Sequence, residues 1–193
     1  MDVDQLLSNL RNGDSGKAFD AGKALLRMSP MPIEEVIEIL REAEGVHNRV
    51  AAAYAVSWMC GKYPKSHSTL AAAALLEAFN NPTEDVAVKA QALEGFASQT
   101  PRRGTKLWRE VEAAILSALS EESVEIRFWA CYAAGSIKLR SALPKLKELS
   151  EQDTRVYRGW WRVSEEAEDA IEWVHGRKTE DRTPMPIEAV DSS

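Results

Sequence analysis

Two cysteines and three histidines are all that 193 residues supply of the side chains that most readily cross-link or ligate transition metals. Cys60 and Cys131 stand in helical, small-residue contexts and read as buried thiols, so no disulfide framework is expected and a reducing, cytoplasmic setting is favoured. His47, His67 and His175 are dispersed, with no His or Cys at ligand spacing, which excludes a conventional zinc site. No apolar run approaches a membrane span, and the opening MDVDQLLSNL has neither a basic nor an apolar segment of signal-peptide type. A glycine-rich phosphate loop after a strand and a nucleophile elbow are both missing. No cofactor is implied. Charge is mixed, with a formal net value of -6. Clustered Lys and Arg are what confer affinity for phosphate backbones, so nucleic acid and anionic membrane are disfavoured as partners.

What is present is helix. The chain is 45% apolar, enough for a continuous core, and its apolar residues recur at helical spacing. Ile33, Val36, Ile37 and Leu40 form one stripe, with Glu34, Glu35, Glu38 and Glu42 opposite. Residues 124–137, VEIRFWACYAAGSI, carry a stripe of small residues, Ala130, Ala133, Ala134 and Gly135. A face this thin lets helices approach closely but buries too little to stand alone, so copies are expected on either side. Placing Ala133 over Ala55 and Gly95 aligns VHNRVAAAYAV, VAVKAQALEGF and VEIRFWACYAA. Each has Val, a base three residues on (Arg49, Lys89, Arg127), and Ala three further (Ala52, Ala92, Ala130). Weaker copies fit around Ala18, Ala21 and Ala24, and around Ser164, Ala167 and Ala170, as expected of end repeats.

Helix boundaries follow from punctuation. Asp14 after Asn12-Gly13 is placed to cap the second helix, Pro32 to open the third, and Gly45 to precede the fourth. Tyr63-Pro64-Lys65 closes the second pair. The third opens with an Ala-rich helix over residues 70–79, and Thr83 with Glu84 and Asp85 is expected to cap its partner. Pro101-Arg102-Arg103-Gly104 leads to a helix over 106–119, and a Pro-opened helix covers 141–149. A long connection follows, then a helix ending before Gly176. Residues 177–193 lack an apolar period and read as a flexible or docked tail after a repeat domain over residues 1–176.

These residues resemble HEAT-like repeats of the phycobilisome-lyase type, whose signature is Val-Arg-x-x-Ala-x-x-Ala-Leu-Gly after an acidic turn. The best match is Ile126-Arg127-x-x-Ala130-x-x-Ala133-Ala134-Gly135, preceded by Glu121 and Glu122. The resemblance implies an all-α fold, a right-handed α-solenoid of about five helix pairs. It specifies architecture rather than activity: such proteins include scaffolds, lyase subunits, a DNA-glycosylase branch and small bacterial immunity proteins that neutralise toxins.

Candidate functional residues are weighed against plain packing. Arg49, Lys89 and Arg127, one per repeat, read as a structural ladder bonding acidic turn residues or carbonyls. Tyr54, Trp58, Glu94, Phe128, Trp129 and Tyr132 fall beside the small-residue stripe, where second helices of a solenoid line the concave face. Exposed Trp and Tyr dominate interface energetics, which makes them candidate partner-binding residues. Trp108 and Trp173 read as gap fillers. Arg155, Tyr157, Arg158, Trp160, Trp161 and Arg162 form an aromatic-basic cluster in the longest loop, either a binding rim (Arg158, Trp160, Trp161) or a cap over the last repeat. The run Gly159-Trp160-Trp161-x-Val163-x-x-Glu166-Ala167 is similar to terminal repeats of bacterial HEAT-like proteins, which supports the cap. Glu165, Glu166, Glu168 and Asp169 look like a solvated helix face. The expected function is a non-enzymatic module that captures another protein, most specifically an immunity-type protein that occludes a basic toxin or effector. The alternatives are a nucleic-acid enzyme using Glu94 or Glu125, and a chromophore-lyase subunit or scaffold.

Overall fold

A computed structural model describes residues 2–59 and 65–185. Among these, ten α-helices and one 3-10 turn account for the regular structure: α1 Val3–Asn12, α2 Ser15–Leu25, α3 Ile33–Glu42, α4 Val46–Trp58, α5 Lys65–Asn80, α6 Val86–Ser98, α7 Lys106–Ala118, α8 Val124–Ser136, the 3-10 turn Arg140–Ala142, α9 Leu143–Gln152 and α10 Val163–Val174. The fold is all-α, a succession of helix pairs consistent with a solenoid. The chain divides into two compact units, Met1–Val111 and Glu112–Ser193. The Tyr63-Pro64 closure and Cys60 lie outside the described residues.

Local chemistry sets the boundaries. Asp14 accepts from the Lys17 amide at 3.0 Å and starts α2, and Ser123 accepts from the Ile126 amide to start α8. Thr105 does the same for α7 through the Trp108 amide; each bond satisfies an amide that has no partner within its helix. At α6 the cap is Asp85, which accepts from the Ala87 amide. Glu84, beside it, is drawn into an ion pair with Arg49, and Thr83 bonds Asn81. Pro144 sits in the first turn of α9, where a missing amide costs nothing.

In the first unit α2 packs on α4 and α4 on α6; in the second, α8 packs on α10. Small residues set the spacing. A Cβ on Gly22 would meet the Ala51 carbonyl oxygen at 3.2 Å. One on Gly95 would run into Ser57 Oγ and lie 2.6 Å from Leu75 Cδ1. One on Gly135 would lie 2.7 Å from Ala170 Cα, a backbone atom that cannot turn aside. Around these contacts Ala51, Ala52, Ala55, Ala92, Ala130, Ala133 and Ala134 are fully buried. First helices supply the larger apolar groups, such as Val36, Ile39 and Leu40 from α3 and Leu75 from α5.

This geometry fixes the sign of two substitutions. Gly135→Ala should destabilise the protein by about 1–3 kcal/mol, because overpacking exceeds the roughly 1 kcal/mol gain in helix propensity. Gly16→Ala, whose Cβ would meet only Asp14 Oδ1 at 3.6 Å, should be neutral or slightly stabilising. Urea unfolding of both variants checks the contrast.

Candidate interaction surface

In the first unit, Tyr54 and Trp58 lie one turn apart on α4, so their rings share a face. Their centroids are 6.4 Å apart, and Phe19 from α2 continues the row 5.9 Å from Tyr54. Tyr54 and Phe19 are half-buried, whereas Trp58 is 41% exposed. Among the described residues, Trp58 is the sole aromatic counted with the exposed large hydrophobics. Glu94, on α6, is half-buried and takes a hydrogen bond from the Gln91 amide. Burial raises its carboxyl above the ordinary range, and the Gln91 bond only partly offsets this.

Aromatic side chains in the second unit gather around one ring. Phe128 is 1% exposed and therefore cannot serve as a surface anchor, as its position beside Trp129 had suggested. It is instead the hub: Trp129, Tyr157, Trp160 and Trp161 all place their rings 5.1 to 5.7 Å from it. Trp129 also meets Trp160 edge-on at 5.4 Å and Tyr132 at 5.5 Å. These offset and edge-on arrangements are the favourable ones for rings. Trp129, Tyr132, Trp160 and Trp161 keep part of their surface in solvent.

The long connection between α9 and α10 holds the outer rings in place. Val156 and Arg162 pair as an isolated antiparallel bridge, and the Trp160 amide donates to the Tyr157 carbonyl at 2.8 Å. Gly159, at φ +81, supplies the positive dihedral of a type II turn. Arg158 is carried exposed at the tip. The Tyr157 hydroxyl bonds a Glu125 carboxylate oxygen at 2.9 Å, and the Trp161 indole donates to Glu166 Oε2 at 2.8 Å. The loop is therefore a hairpin that caps α8 and also presents rings. Trp173, from α10, stands edge-on to Tyr132 at 5.9 Å, and the two border a cleft of about 530 Å³ with Gly135 and Lys138. Trp108 is buried, with the Arg103 guanidinium 5.1 Å from its ring centre.

Two arginines, one half-buried and one buried, brace this scaffold. Arg49 pairs with Glu84 at 2.9 Å and donates to the Ala43 and Glu44 carbonyls. Arg127, 3% exposed, pairs with Asp153 at 2.7 Å and donates to the Glu121 and Glu122 carbonyls. In both cases one side chain ties its own entry turn to the turn of the next helix pair. Lys89 holds the matching register on α6, half-buried. Burial pushes Asp153 upward, but hydrogen bonds from Arg155 and Arg127 outweigh it and hold the carboxyl below its usual range.

The acidic run on α10 is not the solvated face its composition suggests. Glu166 is 1% exposed and Asp169 is buried, while Glu168 is exposed and Glu165 half-buried. Glu166 and Asp169 share the inward side with Val163, Ala167 and Ala170, and Arg182 covers Asp169 from outside. Desolvation pushes Glu166 up to about 7, offset in part by the Trp161 bond. Its Oε1 has no hydrogen-bond partner. The thiol of Cys131, fully buried nearby, is pushed up by burial and by the charges of Glu166 and Asp153. Among the described residues no cluster of three or more His, Cys, Asp or Glu could hold a metal ion, and no helix is long and apolar enough to cross a membrane.

The surface thus joins Tyr54 to Trp58, and Trp129 to Tyr132, Trp160 and Trp161, within their respective units. Phe19, Tyr157 and Trp173 belong to the same rows; Tyr157 stands in the aromatic-basic loop cluster and Trp173 among the gap fillers, whereas Phe19 lacked a signal because it does not stand at the aligned register. The family model for HEAT repeats matches residues 72–164, from within α5 to the start of α10, and supports a HEAT-like repeat protein. HEAT repeats generally mediate protein–protein contacts and are typically non-catalytic. No curated protein matches the chain.

Two electrostatic outcomes follow. Arg127→Ala leaves Asp153 buried beside a vacancy and should cost about 3–5 kcal/mol, read by urea unfolding, with Arg127→Met losing less. The raised Glu166 carboxyl stabilises the fold fully below its unfolded value near 4.5, and this is lost as pH climbs through about 7. Unfolding free energy should fall by up to about 3 kcal/mol across that window, and Glu166→Gln should flatten most of the decline.

Proposed function

We propose that the chain is a non-enzymatic module that captures another protein through the ring-bearing faces of its second helices, each within its own unit. The observation that carries the reading is Trp58, 41% exposed and tilted against Tyr54 on a helix whose inner face is packed alanine. An indole left in solvent costs free energy unless something covers it, and Trp and Tyr on a rigid base are the side chains that anchor interfaces. Trp129, Tyr132 and Trp160 offer the second unit's partner-facing rings, with Arg158 at the rim.

The finer reading is an immunity-type protein that occludes a basic toxin or effector. It is supported by the net charge of -6 and by Glu94, a half-buried carboxylate on α6, the helix that packs on α4. An acidic surface meeting a basic partner raises the association rate more than it deepens the complex. Catalysis finds little support: Glu94 has one amide neighbour, and Glu125 is engaged by Tyr157.

The test is affinity capture with the full chain from its source cell, followed by measurement with the purified partner. Trp58→Ala and Trp129→Ala should each weaken binding by roughly 30-fold or more, the size of a hot-spot residue, with the fold intact by circular dichroism. Association should slow as salt rises. Recovery of nucleic acid alone, or binding undiminished in both variants, would overturn the proposal.

A further inference from the structure

The packed helices α8 and α10 end with the same cap. After α8 the Lys138 amide donates to the Gly135 carbonyl and that of Leu139 to Ala134; after α10 the Gly176 amide donates to Trp173 and that of Arg177 to Glu172. Such a cap needs one left-handed residue, and glycine is the usual one because it has no Cβ to clash. α10 uses Gly176, at φ +78. α8 uses Lys138, at φ 55, the one non-glycine with a positive φ among the described residues. A residue held in a strained conformation points to a use for its side chain. Lys138 Nζ reaches over the end of α10, 4.0 Å from where a Cβ on Gly176 would stand, and Arg177 is the next residue. Both cations line the cleft of about 530 Å³ bordered by Tyr132 and Trp173, together with Ser136. The two rings stand at 86° to one another, a floor and a wall, and the Trp173 indole is pinned by its bond to Thr179 at 3.0 Å.

We infer that this cleft binds a small aromatic carboxylate, its ring in the corner made by Tyr132 and Trp173 and its acid group on Lys138 and Arg177. Size agrees, since small-molecule sites run to about 300–1,000 Å³. Charge selects the class. The chain carries a net -6, yet among the described residues no carboxylate lines this cleft. Glu172 pairs with Arg177 from outside it and cancels one charge. Both helices also present their C-terminal, negative dipole ends here. At most about one positive charge is left to answer, which matches a monoanion and not a dianionic phosphate. An ammonium and a guanidinium then supply charge-assisted bonds to the carboxylate, while the perpendicular rings hold a planar group by face and edge. This ligand is opposite in sign to the basic partner proposed above, so the inference goes beyond that reading and does not rest on it.

The experiment titrates the full chain with 2-naphthoate, 2-naphthamide and 2-naphthyl phosphate, which share a ring system and differ in charge. Calorimetry gives affinity, and 15N-labelled indoles give the place, with Trp173 assigned through Trp173→Phe. Naphthoate should bind one site and shift the Trp173 signal, leaving those of Trp58 and Trp108, in the other unit, where they are. The amide should bind more weakly by about ten-fold or more, the size of a charged hydrogen bond. Lys138→Gly keeps the cap with the residue usual there, so it should fold as the parent does and lose naphthoate affinity by a similar factor. Trp58→Ala should leave naphthoate binding unchanged, which separates this site from the partner-binding face of the first unit. The site is overturned if millimolar naphthoate leaves the Trp173 signal in place, if the amide binds equally well, or if Lys138→Gly keeps the parent's affinity. Tighter binding of the phosphate overturns the assignment to a monoanion.

Discussion

Gly135 sits so close to Ala170 that one added methyl group would collide with backbone, and most other features of the second unit follow from that approach. Helices this near leave no room for large groups along their line of contact, so alanine and glycine fill it. Apolar bulk must then come from elsewhere, from the first helices on one side and from rings at the flanking register on the other. Trp129 and Tyr132 flank the stripe of Ala130, Ala133 and Ala134 for this reason. The first unit obeys the same rule, with Gly95 against Ser57 and Leu75, and Tyr54 and Trp58 at the edge. Thin contact faces and protruding rings are two consequences of one spacing.

The turns that lead into α4 and α8 carry carbonyls that side chains satisfy. Arg49 and Arg127 answer this with the fixed fork of a guanidinium, which can serve two carbonyls and a carboxylate at once. The cost of burying such a charge is offset only when every partner is in place. Arg127 meets that condition in part: Asp153, which Arg155 further satisfies, and two carbonyls take its bonds, while its Nη2 has no hydrogen-bond partner. Glu166 falls further short: one indole bond cannot replace lost hydration, and its second oxygen is unpartnered. One buried carboxyl in the second unit is thus held charged and another driven toward neutrality, by the presence or absence of a guanidinium.

The repeat register was legible because it obeys local rules. Spacing of Val, base and Ala located α4, α6 and α8, and the caps at Asp14 and the Pro-opened start of α9 came from single residues. Burial that depends on a distant segment was not legible. Phe128 stands among half-exposed rings on its helix, and only the hairpin some thirty residues later encloses it. Glu166 and Asp169 look solvated by composition, yet they lie i, i+3 with the Val163, Ala167 and Ala170 stripe, a clue the periodicity held. Arg182, whose covering of Asp169 completes that burial, belongs to a stretch without any apolar period. The described part of that stretch, residues 177–185, is docked through charge and backbone bonds rather than apolar packing, which explains why hydrophobic pattern said so little about it.

The polar groups beside the rings bear on the proposed binding role. Catalysis asks for two or more polar groups converging on one reacting atom, with a base oriented by a further neighbour. Here the acidic side chains near the rings are singly engaged: Glu125 by a phenol, Glu94 by an amide, Glu166 by an indole. The bonds of Glu125 and Glu166 fix the rings of Tyr157 and Trp161. Rings fixed from behind lose little conformational freedom when covered, so their burial by a partner converts into affinity with a small ordering cost. In the second unit three side-chain hydrogen bonds, to Tyr157, Trp161 and Trp173, hold aromatic side chains still.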